Sequence, residues 1–305
     1  MELDPRRLTV LAAIARTGGV LAAAEALHVT PSAVSQQLAR LERETGLTLV
    51  VRGGRRLELT PAGETLAGHG GRIVEELAAA ADAVSELTDS VTGTVTLASF
   101  VTAIAMLVAP ALTALRSTHP AITVRLVPED AALHRLRAGT VDLVTVELDA
   151  GSYRPPARGL RDVALLDDPY LLVLPADWAL PSGERRSTRL RGAFELPWVV
   201  GPPGSAMRSV LDRLGREVGV SPRIAHEAAE FPAVFALVRA GLGVAIVPRL
   251  ALRAGASSGL RALDLPGLGA RRVAVRHRAG RGEPTRAARV VLDALTTRAA
   301  EVARR

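Results

Sequence analysis

The stretch Ala23-Ala24-Glu25-Ala26-Leu27-His28-Val29-Thr30-Pro31-Ser32-Ala33-Val34-Ser35-Gln36-Gln37-Leu38-Ala39-Arg40-Leu41-Glu42 reads as a helix end, a turn and a second helix. Thr30-Pro31 is a helix start, with threonine as N-cap and proline at the first helical position. The helix then runs to about Thr45, where Gly46 stops it. Val34, Leu38 and Leu41 recur at helical spacing and form its inner face. Ser32, Ser35, Gln36 and Arg40 fall together on the opposite, outer face.

Working outward, Asp4-Pro5 repeats the cap-then-proline start. Leu3 and Leu8 sit where a hydrophobic staple places them. Leu8, Leu11, Ala12 and Ala15 follow with helical period, and Gly18-Gly19 ends this first helix. Val20 to Leu27 is a short second helix, and His28-Val29 is the turn. On the far side, Val50–Arg52 and Arg56–Leu59 read as two strands turning at Gly53-Gly54. Three short helices and a two-stranded wing make a winged helix-turn-helix over 1–60. Small hydroxyls and amides at a helix N-terminus suit phosphates and base edges. Gln36 can pair with adenine, and Arg40 with guanine or phosphate. Arg52, Arg55 and Arg56 on the wing can enter a minor groove.

The Ala23–Glu42 stretch resembles the signature of LysR-type transcriptional regulators. So do Gly46-Leu47-Thr48-Leu49 to Arg52 and Leu59-Thr60-Pro61-Ala62-Gly63. The resemblance extends over the whole chain, including its length. Two positions depart from the family pattern. Val50 stands where an aromatic is usual, and the third helix opens Thr-Pro-Ser rather than Ser-Gln-Pro. The second departure changes which side chains lead into the groove, so sequence preference does not transfer. The resemblance implies DNA contact by Thr30, Pro31, Ser32, Ser35, Gln36 and Arg40. It also implies a regulator that dimerises through a linker helix, a dimer of such dimers (a homotetramer), and RNA polymerase as partner if it activates.

Thr60-Pro61 opens another helix, predicted to reach about Thr88, roughly 42 Å at 1.5 Å per residue. Leu66, Gly70, Ile73, Leu77, Ala80, Val84 and Leu87 follow heptad spacing. That seam asks for a partner helix, and no neighbouring segment offers a matching long one. Leu66, Ile73, Leu77, Val84 and Leu87 are therefore the candidate dimerisation residues. Gly68, Gly70 and Gly71 weaken the helix and mark a close crossing or a kink. Residues 61–90 are linker helix and hinge, the hinge at Thr88–Gly93.

From Thr94 strands and helices alternate, which is α/β logic. The sequence predicts a strand over 94–98, a helix over 102–117 and a strand over 122–127. The halves echo each other: Pro120-Ala121-Ile122 answers Pro222-Arg223-Ile224, and Arg137-Ala138-Gly139 answers Arg239-Ala240-Gly241. Two similar α/β lobes follow, within an effector-binding domain over 91–305. Lobe I is 91–160 with 268–305, and lobe II is 161–267. The chain crosses between them near 148–164 and returns near 265–272. Ligands bind beyond the carboxyl ends of strands, where helix N-termini point. Three loops, Ser99–Thr102, Gly201–Ser205 and Glu227–Phe231, occupy such places, with Arg208 one turn into its helix. In relatives these positions contact the effector, so the resemblance assigns that role to Ser99, Thr102, Gly204 and Ser205. It assigns it also to Val146 and Glu147 at the crossover. Glu227 and Glu230 would repel an anion, which leaves the effector's charge open.

Composition bounds the alternatives. The 305 residues suffice for about two domains. With no cysteine, disulfides, zinc–thiolate sites and thiol redox sensing are excluded. The opening residues lack the marks of a secretory signal, and the apolar runs fall short of a membrane span. A cytoplasmic protein without membrane contact is the expectation. The net charge is +7, every cation is arginine, and ten arginines against three acids fall within 271–305. That excess reads as a solvated helix face and tail rather than a nucleic-acid arm. No enzyme is expected: the six histidines lack metal spacing, and neither a nucleophile elbow nor a P-loop occurs. Asp167-Asp168 and Glu129-Asp130 read as solvated turn residues. No catalytic residue, metal or cofactor is expected beyond a small-molecule effector. A solute-binding protein would share the two-lobed cleft, but not the winged head and dimer helix.

Overall fold

The computed structural model describes residues 3–53, 56–87, 91–129, 131–137, 139–149, 155–179, 191–255, 258–265, 267–280 and 284–304. Side chains at 52, 53, 56, 75, 78, 79, 81–87 and 149 lie outside the description. The chain begins with α1 (Pro5–Thr17), α2 (Val20–Ala26) and α3 (Pro31–Thr45). Their caps are those that the sequence predicts. Asp4 accepts the amide of Arg6 at 2.9 Å, and Thr30 that of Ala33 at 3.2 Å. Gly18 and Gly46 close α1 and α3 at φ 78° and 67°, in the left-handed region glycine tolerates. Leu11, Ile14, Ala23, Val34 and Leu41 fill the centre of this bundle.

The wing is β1 (Val50–Gly53) antiparallel to β2 (Arg56–Leu59), with Gly53 opposite Arg56. Glu42 ties α3 to it, accepting the amide of Leu49 at 2.8 Å. Then comes α4 (Pro61–Leu87), whose first half packs on α1. Gly70 makes that possible: a Cβ there would lie 2.1 Å from the Leu8 carbonyl oxygen. Gly63 does the same against the Leu49 carbonyl oxygen, also at 2.1 Å. Leu66 and Ile73 pack against the head core, so α1 takes the upper part of the heptad seam. The sequence could not show this, because α1 is short and lies far back in the chain. Leu77, one turn on, is 64% exposed. Val84 and Leu87 lie outside the described side chains, and Thr88 outside the described residues.

Lobe I contains β3 (Gly93–Ala98), a helical run to Thr118, β4 (Ile122–Val127), α7 (Ala132–Arg137) and β5 (Leu143–Asp149). The helical run is α5 (Val101–Ala103), a π-turn (Ile104–Val108) and α6 (Ala109–Thr118). Pro110 explains the π-turn, since it has no N–H for the carbonyl of Met106. Arg298 supplies the missing donor to that carbonyl at 3.1 Å. Val101–Thr118 is long and apolar enough to cross a membrane by length and composition alone. Leu107, Val108, Ala111 and Leu115 bury its inner face within the lobe. β3 pairs in parallel with β4 and β5. Lobe II repeats the arrangement with β7 (Pro197–Val200), α8 (Ala206–Val218), β8 (Arg223–Glu227), α9 (Phe231–Arg239) and β9 (Ala245–Pro248). β7 runs parallel to β8 and bridges Val244 in parallel. Gly139 and Gly241, the two echoed glycines, both hold positive φ, at 71° and 74°.

Two long strands join the lobes. β6 (Leu160–Pro175) pairs with β11 (Ala270–Arg278) over 160–169, then with β9 and with β10 (Leu260–Leu263) over 170–175. It passes from one sheet to the other at Pro169–Tyr170, later than the 148–164 the sequence suggested. α10 (Arg249–Ala254) follows β9, and α11 (Arg286–Ala303) packs on lobe I. β11 corrects the reading of the C-terminal charge. Arg271, Arg272 and Arg276 stand opposite Asp168, Asp167 and Asp162 of β6, each within an ion pair. Four of the ten C-terminal arginines, these three and Arg278 beside Asp142 at 3.5 Å, thus pair with acids, and of the three facing β6 only Arg272 is largely open to solvent. Asp167 and Asp168 are accordingly strand residues, not turn residues. Asp130 lies outside the described residues.

Candidate nucleic-acid interface and effector cleft

On α3, Pro31, Ser32, Ser35, Gln36 and Arg40 are all exposed, while Val34, Leu38 and Leu41 on the other side are buried. The Thr30 hydroxyl caps the helix and lies 3.0 Å from the Ser32 hydroxyl. The outer face is thus a polar strip on a helix fixed by its apolar side. Pro31 carries no N–H and the amides of Ala33 and Val34 are taken by Thr30, so the positive end of the helix, rather than a row of free amides, favours anionic oxygens there. The side chains of Arg52 and Arg56, and all of Arg55, lie outside the description.

Between the lobes lies a cleft of about 710 Å³. Lobe I supplies Phe100, Glu129, His134, Val146 and Glu147. Lobe II supplies Gly201, Pro202, Ser205, Met207 and Phe231. The joining strands add Tyr170, Arg271 and Arg276. Three of the chain's eight aromatic residues therefore face one space. Of the residues expected to touch the effector, Val146, Glu147 and Ser205 line it. Ser99 does not: its hydroxyl is buried and accepts from Thr145 at 2.8 Å. Thr102 lines a neighbouring hollow of about 250 Å³, with Phe231 and Phe235. Gly204 is exposed at the loop tip, and Arg208 turns to Asp212 at 3.1 Å. The Ser205 hydroxyl caps α8 by accepting the amide of Arg208 at 3.3 Å.

The centre of the cleft floor is Arg271, which the sequence reading missed. Its Nε donates to Asp168 at 2.9 Å, its Nη2 to the Thr102 hydroxyl at 2.8 Å, and its Nη1 to Glu147. Its guanidinium carbon lies 5.1 Å from the centre of the Phe100 ring. Asp168 also accepts the amide of Leu250 at 3.0 Å, at the start of α10 in lobe II. One buried guanidinium thus joins α5, β5, β6 and, through Asp168, the second lobe. Burial pushes the carboxyl groups of Glu147 and Asp168 up, and Arg271 pulls both back only partly. Glu129 adds to the rise at Glu147. No signal in the sequence singles out Arg271 among its neighbours, because strand pairing alone brings its partners to it. Among the described residues no group of three histidines or acids could hold a metal.

Comparison with known proteins agrees with this architecture. Residues 88–300 match the LysR substrate binding domain, and residues 5–64 the bacterial regulatory helix-turn-helix of the lysR family. The chain belongs to the LysR family of transcriptional regulators. It is 31% identical over 271 residues to the HTH-type transcriptional regulator CbbR of Xanthobacter flavus, covering 86% of this chain and 78% of that one. It is 30% identical over 250 residues to the RuBisCO operon transcriptional regulator of Allochromatium vinosum, covering 81% and 80%. A full-length OxyR variant from Pseudomonas aeruginosa shares the fold, with TM-score 0.67 at 19% identity, covering 97% and 98%. So does full-length CbnR in complex with its target DNA, with TM-score 0.52 at 22% identity, covering 98% and 99%. This LysR-type chain is a DNA-binding transcriptional regulator with an effector-binding domain, in a family of regulators rather than enzymes.

Proposed function

We propose that this LysR-type regulator reads a pseudo-palindromic promoter site as a dimer or a dimer of dimers, under control of a small molecule in the interlobe cleft. The observation that carries the reading is the exposed strip Ser32, Ser35, Gln36 and Arg40 on a helix fixed by its buried side. In this reading α3 enters the major groove and the wing arginines Arg52, Arg55 and Arg56 hold phosphates or the minor groove. Residues 1–60 are the head, 61–90 the linker, and 91–305 the effector domain. The lower half of α4, from the exposed Leu77 through Val84 and Leu87, pairs with a second copy. Two-fold symmetry then places two heads on inverted half-sites. The effector acts by binding one lobe arrangement more tightly than the other. An activator of this kind would meet RNA polymerase, and its place of work is the cytoplasm.

A nuclease-protection footprint on the DNA upstream of its own gene, at two salt concentrations, tests this. Protection over two helical turns with an inverted repeat, surviving moderate salt, is the expected result. Protection that vanishes with salt would reduce the head to nonspecific phosphate binding. Leu77→Asp should convert the dimer to monomer in sedimentation, and an unchanged oligomer would reject the lower α4 seam.

A further inference from the structure

The cleft's charge points to the class of molecule it takes. Its two guanidinium groups are already occupied. The Ser205 hydroxyl accepts the amide of Arg208 as the cap of α8. Arg271 is committed to Asp168, Glu147 and Thr102, and Arg276 to Asp162 through two bonds at 2.6 and 2.8 Å. A carboxylate ligand pairing with Arg271 would have to displace Glu147 and leave a displaced anion beside its own charge. The acceptors are in the opposite condition. Two carboxylates, Glu147 and Asp168, share one buried guanidinium, so the group carries one negative charge too many. Asp168 is buried, whereas the Glu147 side chain keeps 33% of its surface open to the cleft. Among the described residues, Arg271 bonds Glu147 through Oε1 and no partner holds Oε2. Glu129 lines the same wall and adds its negative potential at Glu147.

We propose that the effector of this regulator is an organic cation, an amine or amidine with an apolar body, whose charged head sits on Glu147. The proposal rests on reading the cleft as the effector site. The head would balance the surplus charge, and the body would lie among Phe100, Tyr170, Met207 and Phe231. A cation near aromatic faces gains further attraction from the rings. The desolvation that pushes the Glu147 carboxyl up is the cost that such a head would relieve. The feature is a cavity large enough for a small ligand, with a charge it does not itself neutralise.

Calorimetric titration of the full chain with shape-matched probes decides it. Benzamidine and phenethylamine are the cations, and benzoate and phenylacetate the anions. The cations should bind at least about tenfold more tightly, as a charge-assisted hydrogen bond requires. Glu147→Gln should erase that difference. It leaves Arg271 paired with Asp168, so the buried charges balance and folding should be kept. Ala206→Trp, at an exposed position on the cleft rim, should block every probe by bulk. Anions binding as tightly as cations, and blocked by Ala206→Trp, would overturn the charge class and keep the cleft. Cation binding indifferent to both substitutions would overturn the cleft reading itself. Binding of no probe at all would overturn the proposal.

Discussion

On α3, Ser35, Gln36 and Arg40 stand exposed, and no partner among the described residues takes their polar groups. On the cleft floor, Thr102, Asp168 and Arg271 are buried, and they and Glu147 hold one another. The first surface keeps its hydrogen bonds for a partner that comes from outside. The second spends most of them on joining two lobes, leaving a single half-exposed carboxylate. A reader of DNA gains from the first arrangement, since a duplex edge offers donors and acceptors to match. A site that changes shape with its ligand gains from the second, since one new charge there reweights a whole network.

The largest effect should come from Arg271→Ala. It leaves Asp168 and Glu147 as uncompensated carboxylates, and breaking a buried pair in this way costs about 3–5 kcal/mol. Urea unfolding of the variant should show that loss in the effector domain, with the head's DNA binding the less affected property. If the loss stays under about 1 kcal/mol, as for exposed pairs, the cleft floor is wetter than its burial suggests.

Gly70→Val applies the same logic to the head. The new Cβ meets the Leu8 carbonyl oxygen at 2.1 Å, so α1 and α4 must separate. Overpacking of this kind costs about 1–3 kcal/mol. A lowered melting temperature with weaker DNA binding is expected, because α1 supports α3. Gly71→Ala, at a position where a Cβ meets nothing within 4 Å, is the control and should be neutral or stabilising.

These two sites differ in how far the sequence reveals them. The head was legible almost to the residue, because its caps, turns and inner faces are local: Thr30-Pro31, Gly46, Val34 and Leu38 state their roles within one helix. Much of the effector domain was legible for the same reason, and β3 and β4 fall where the readings of 94–98 and 122–127 place them, to within a residue. β11 and the first ten residues of β6 were not. Arg271, Arg272 and Arg276 break the apolar alternation that marks a strand, and so do Asp162, Asp167 and Asp168. Their charges cancel only once the strands lie side by side, about a hundred residues apart in sequence. The cleft floor is built from that pairing, so its centre stayed hidden while Glu147 and Ser205 at the cleft wall did not.

Gln36→Ala should act on the exposed side of the comparison. Loss of a bidentate base contact costs about 1–3 kcal/mol of discrimination between sites. Competition binding should show specific affinity falling while nonspecific affinity holds. An equal fall in both would make Gln36 a backbone contact rather than a reader.

The smallest effect belongs to the neighbour of the largest. Arg272 and Arg271 are adjacent on β11, and each faces an aspartate of β6. Arg272 makes the better fork, with two bonds to Asp167 at 2.8 and 3.1 Å. Yet its side chain is 40% exposed and that of Asp167 52%, so water screens the pair and competes for both groups. Exposed pairs contribute about 0–1 kcal/mol, and Arg272→Ala should fall in that range. Hydrogen bonding to Arg272 holds the Asp167 carboxyl below its usual 3.8. A depressed carboxyl stabilises the fold above its unfolded value, and the contribution fades as pH falls through the folded value. The small loss in Arg272→Ala should therefore be seen at neutral pH and shrink in acid below about 4. If Arg272→Ala matched Arg271→Ala, bond geometry rather than burial would set the strength of this ladder.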